Sequence, residues 1–225
     1  MKNYKVDIVK KANEELALFE YRNRYKTGDV RKASAKIYRL IKNEPFENIL
    51  DMCEELLEER SWAMGVIAYD IAFRERNNYT RETFNRFEKW LIKYVRDWND
   101  CDDFCTHAFG ALLAEYNDLF AKVVRWCDRP EFWVRRAAGV VLIYPMAKNV
   151  YGEIDPFKIS NALMNDDHYL VLKGYGWMLK VYGQSEPKKL EKYLLENVET
   201  MPRVSFRYAI EKLDVDTKKS LMAKS

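Results

Sequence analysis

Trp133-Val134-Arg135-Arg136-Ala137-Ala138 begins an apolar run that continues to Ala147, and its mixture of a ring, a cation and small residues returns elsewhere in the chain. Comparable openings stand at Ser61-Trp62-Ala63-Met64-Gly65, Leu172-Lys173-Gly174-Tyr175-Gly176-Trp177 and Ser205-Phe206-Arg207-Tyr208-Ala209-Ile210. Alanine and glycine at such positions let neighbouring helices approach closely, so packing alone accounts for their recurrence. Packing does not account for the cations at the three later openings, Arg136, Lys173 and Arg207.

Each opening begins the second helix of a pair. Apolar residues at three- and four-residue steps predict Pro45 to Glu59 with Ser61 to Arg76, and Arg81 to Arg96 with Asp102 to Tyr116. Further pairs are Leu119 to Cys127 with Glu131 to Ala147, Pro156 to Met164 with Tyr169 to Tyr182, and Pro187 to Asn197 with Arg203 to Leu213. Breaks such as Asp128-Arg129-Pro130, Asn165-Asp166-Asp167 and Met201-Pro202 carry turn and capping residues. A repeat of roughly 30 to 40 residues with one short turn per unit is the signature of a HEAT-type stack. The expected fold is all-α, a right-handed solenoid of antiparallel helix pairs with a concave basic groove, in one domain over residues 1–225. Residues 1–43 are expected as an N-terminal helical cap, 45–215 as the repeats and 216–225 as a C-terminal tail. Eight glycines and six prolines in 225 residues are too few for the turns of a sandwich or barrel.

The formal charge of +3 neither demands nor excludes a polyanionic partner, so the local distribution decides. The densest cationic region joins Arg22, Arg24 and Lys26 to Arg31, Lys32, Lys36, Arg39 and Lys42, on a helix expected from Val30. Read alone, it is a solvated helix face or a phosphate contact. If second helices line one surface, Arg136, Lys173 and Arg207 face a common groove with Tyr and Trp between them, which suits a phosphodiester backbone. The same row fits acidic segments of a protein partner, or bridging between repeats.

One other stretch carries unusual charge. Asp97-Trp98-Asn99-Asp100-Cys101-Asp102-Asp103-Phe104-Cys105 crowds carboxylates that raise one another's pKa, an arrangement offset by a cation or by the N-terminal dipole of a helix. Cys53, Cys101, Cys105 and Cys127 follow no zinc-ligand spacing and read as free thiols. Met1-Lys2-Asn3-Tyr4-Lys5 lacks the apolar core of a signal peptide, and no run reaches the roughly 18 apolar residues of a membrane helix. A cytoplasmic, soluble, monomeric protein is expected.

In chain order, Trp98 with Asp102, Arg136-Ala137-Ala138, Lys173-Gly174-Tyr175-Gly176-Trp177 and Ser205 to Ile210 resemble the motifs of the AlkD-like DNA alkylation repair glycosylases, over about Glu47 to Leu213. The resemblance implies HEAT-like repeats and excision of cationic N3- and N7-alkylpurines from alkylated double-stranded DNA, without metal or organic cofactor. It implies Asp102, Trp98, Trp177 and Arg136 as catalytic residues: Asp102 to stabilise the charge developing on the sugar or to position water, the tryptophans to face the cationic nucleotide, and Arg136 to hold a phosphate. Lys173, Arg207, Arg135, Tyr175, Ser205, Arg31 and Lys32 are then the candidate DNA contacts. Asn99 stands where the family usually has aspartate.

Without the resemblance, Trp98 and Trp177 read as packing tryptophans and Asp102 as a helix cap. The alternatives are a HEAT-like DNA-binding relative that has lost base excision and a protein-interaction scaffold. Salt-dependent DNA binding and base release separate the three.

Overall fold

A computed structural model describes residues 6–19 and 25–224, and among them every regular element is helical. Two compact units divide the chain, Met1–Tyr94 and Val95–Ser225. No helix is long and apolar enough to cross a membrane among the described residues. Arg22 and Arg24 of the expected basic region lie outside them.

The first unit holds α1 (Ile8–Ala17), α2 (Thr27–Ile41), α3 (Phe46–Glu58), α4 (Trp62–Arg74) and α5 (Thr83–Lys93). α4 packs on both α2 and α3 and is buried without a break from Ala63 to Ala72. Asp70 is the one carboxylate within that buried stretch, and three donors meet it. Arg31 Nη1 donates at 3.0 Å, Ser34 Oγ at 2.6 Å and Arg74 Nε at 2.8 Å, which offsets the cost of desolvating the charge. α2 starts three residues earlier than the expected Val30: Thr27, Gly28 and Asp29 form its first turn rather than a break, and Asp29 suits the positive helix end.

The second unit contains α6 (Trp98–Phe104), α7 (Gly110–Glu115), α8 (Phe120–Val124), α9 (Phe132–Val140) and α10 (Ile143–Ala147). It continues with α11 (Pro156–Ala162), α12 (Tyr169–Ser185), α13 (Pro187–Glu196), α14 (Arg203–Ala209) and α15 (Val215–Lys224). α12 is central, packing against α9 on one side and α14 on another. A Cβ on Gly176 would stand 2.9 Å from both the Ser205 carbonyl oxygen and Tyr208 Cβ of α14, so a hydrogen here is what permits that approach.

Three departures from the expected elements have local causes. The run from Glu131 to Ala147 divides at Val141-Leu142, because Pro145 lacks an N–H and its ring opposes the carbonyl four residues back. Between α6 and α7 the winding widens into one π-turn, Cys105–Phe109. Thr106 Oγ1 donates to the Asp102 carbonyl there at 2.7 Å, and His107 Nδ1 lies 2.9 Å from the Asp103 carbonyl oxygen. The segment expected as a tail coincides with α15, which packs on α13 and buries Leu221.

Candidate active site

The acidic stretch opens a helix. Asp97 is its N-cap, the carboxylate accepting from the Trp98 N–H at 2.7 Å, and Trp98 is the first residue of α6. The helix thus begins four residues before the expected start at Asp102, which is interior and not a cap. Trp98 and Asp102, four residues apart, share one face. Asp100 bears the cost of the crowding: burial first, then the charges of Asp97 and Asp103, push its carboxyl up to about 6.

Arg136 of α9 meets Asp102 squarely. Its Nε donates to Oδ1 and its Nη2 to Oδ2, each at 2.8 Å, a bidentate fork. Its Nη1 donates to the Leu170 carbonyl in the first turn of α12. Room for this reach comes from Gly174, where a Cβ would stand 3.1 Å from Arg136 Cγ. Burial raises the Asp102 carboxyl, and the bonds and charge of Arg136 draw it back without cancelling the rise. Burial also lowers the guanidinium, and Asp102 more than reverses that. The two tendencies oppose each other on the carboxyl; we read the pair as ionic, since a protonated Asp102 would forfeit two charge-assisted bonds.

The opposite wall comes from α12 and α14. Tyr169, Lys173, Trp177 and Lys180, at steps of four, four and three, form one stripe along α12. Lys173 Nζ lies 4.4 Å from the Tyr169 ring centroid and 5.7 Å from that of Tyr208. Lys180 Nζ lies 5.5 Å from the Tyr208 ring and pairs with Glu211 Oε2 at 3.1 Å. Trp98, Asp102, Arg136, Leu170, Lys173, Trp177, Lys180 and Tyr208 together line a cleft of about 370 Å³. The four residues expected to be catalytic meet in it.

A family model described as DNA alkylation repair enzyme matches residues 25–213. The chain belongs to this family. A solved structure described as a predicted DNA alkylation repair enzyme from Enterococcus faecalis shares the fold, with a TM-score of 0.72 at 15% sequence identity. The match covers 96% of this chain and 100% of that one. None of the curated proteins compared matches the chain.

In this DNA alkylation repair family member the candidate DNA contacts separate by position. Lys173 lines the cleft. Arg207 is exposed on α14 and is not among the residues lining it. Arg135, one residue from Arg136 and so turned about 100° around the helix, is spent elsewhere. Its Nε donates to Asp166 Oδ2 at 2.6 Å and its Nη1 to the Arg129 and Pro130 carbonyls. Asp166 in turn accepts from the His168 N–H at 2.8 Å, and His168, stacked on Phe132 with centroids 3.9 Å apart, caps α12. Arg135 therefore fastens the loop that starts α12.

Tyr175 and Ser205, expected to contact DNA, are both 0% exposed, so their side chains cannot reach it. The Tyr175 hydroxyl points at Met164 Sδ, 3.9 Å away, and Ser205 Oγ donates to the Leu172 carbonyl at 2.9 Å. Arg31 is engaged by Asp70, and Lys32 is exposed with Asp29 at 3.8 Å, both in the first unit. Arg136, expected to hold a phosphate, is 5% exposed and spends Nε, Nη1 and Nη2 on Asp102 and the Leu170 carbonyl. Sequence reasoning missed Lys180, although the spacing from Lys173 through Trp177 places it on their face. All four cysteines are free and buried; Cys101 Sγ donates to the Trp133 carbonyl at 3.4 Å, and burial holds the Cys105 thiol well above its ordinary pKa. Among the described residues no three His, Cys, Asp or Glu groups are placed to hold a metal ion.

Proposed function

We propose that the protein is a DNA glycosylase that hydrolyses the N-glycosidic bond of cationic alkylated purines, N7-methylguanine and N3-methyladenine, in duplex DNA. It acts as a monomer in the cytoplasm with no metal or organic cofactor. The observation that carries this reading is the meeting of Trp98, Trp177 and the Asp102–Arg136 pair in one cleft. Alkylation places a positive charge on the purine, so the departing base needs no added proton. The barrier lies in the positive character that develops on the sugar, as in glycoside hydrolysis.

Asp102 is suited to face that charge. Arg136 fixes both oxygens, and each keeps a further lone pair for an attacking water or for the sugar. A preorganised anion in a partly desolvated cleft needs no rearrangement when the charge appears. Trp98, 46% exposed, and Trp177 offer π-faces worth about 0.5–2 kcal/mol each to a cationic nucleotide.

Release of free base from methylated duplex DNA tests the reading. Wild type should release both purines, and Asp102→Asn should slow release by about 10²–10³-fold while DNA binding persists. A second reading, DNA binding without excision, draws support from the same ion pair, because Arg136 already neutralises Asp102. Wild type that binds the duplex and releases no base would select it.

A further inference from the structure

Three cations and one carboxylate line the cleft, and the cations are not equivalent. Arg136 is consumed by Asp102 and Leu170, and Lys180 is paired with Glu211. Lys173 has no carboxylate within ion-pair distance among the described residues. Its ammonium instead rests over the exposed Tyr169 ring and beside the Tyr208 ring.

We propose that Lys173, and not Arg136, takes a backbone phosphate of the bound strand, with Tyr169 and Tyr208 as the residues that position its ammonium. This rests on DNA occupying the cleft, and it does not depend on base excision. Aromatic faces suit the task because they hold a cation without neutralising it. A carboxylate in their place would have to be displaced by each arriving phosphate. Lysine normally lacks arginine's planar, preorganised fork, and two ring faces supply the missing restraint. Tyr208 also touches Lys180, so one ring steadies two ammoniums along the same wall. The contact with Tyr169 raises the Lys173 pKa, keeping the group cationic and unsuited to act as a nucleophile on an opened sugar.

The test is the salt dependence of binding to unmodified duplex DNA, with base release measured in parallel on methylated duplex. Lys173→Met should reduce the slope of log K against log salt by about 0.9, the value of one lost phosphate contact, with the melting temperature unchanged. Lys173→Arg should restore the slope. Tyr208→Leu should weaken binding several-fold at constant slope, and Tyr208→Phe, which keeps the ring, should bind as wild type. Wild-type slope and affinity in Lys173→Met overturn the proposal, even if that variant and wild type both release base. Failure of the wild type to bind duplex DNA overturns it as well. The expected slope change in a protein that releases no base supports the phosphate contact and sinks only the glycosylase reading.

Discussion

Arg136 and Arg135 are chemically identical neighbours with different tasks, one locking Asp102 and the other fastening a loop. Nothing in residue type distinguishes them; position around the α9 axis does. Asp100 shows the reverse case, identity without function. Its folded pKa of about 6 lies above the usual 3.8, so the folded chain holds its proton longer than the unfolded chain. Below about pH 3 both states are protonated and the group is neutral to stability. As pH rises toward 6 the unfolded chain releases its proton first, and stability falls. Asp100→Asn should therefore stabilise the protein at pH 7 by about 1 kcal/mol, a figure already discounted for the partial exposure of the group. Urea unfolding at pH 7 and pH 3 checks this, with the gain expected to vanish at pH 3.

At the scale of elements, α12 is held between α9 and α14 by residues too small to be seen as features. Gly176→Ala forces a methyl into the Ser205 backbone and Tyr208, and should cost about 1–3 kcal/mol in thermal or urea unfolding. Displacement of Tyr208 should lower affinity for DNA with it. Most helices were legible because apolar residues recur at helical steps, and the recurring openings at Trp133, Leu172 and Ser205 marked α9, α12 and α14. Trp98, Asp102, Arg136 and Trp177 were legible only as motifs in order; the bidentate bond between Asp102 and Arg136 was not. Tyr175 and Ser205 misled because a motif residue can serve packing as readily as contact. α6 starts at Trp98 and not at Asp102 because Asp97 supplies the cap, and Asn99-Asp100, a pair that resembles a break, lies inside the helix.

For the whole molecule, 38 Lys and Arg against 35 Asp and Glu leave little net charge. Arg31, Arg86, Arg135 and Arg136 each spend donors on carboxylates of their own chain. DNA binding should accordingly rest on few phosphate contacts, with a slope of log K against log salt of about −2 to −4, not the −10 or so of extensively basic binders. Titrations between about 50 and 200 mM salt check it; a slope steeper than about −6 would mean a far wider cationic footprint.

The π-turn at Cys105–Phe109 makes the aim of Asp102 a matter of how the chain is wound. The wide turn inserts one residue into an otherwise continuous winding from Trp98 to Glu115. Wound as ordinary helix without that widening, the same residues would swing Trp98 and Asp102 by about 100° around the axis relative to α7. Every side chain of the ion pair would survive such a rewinding, and the pair itself would not.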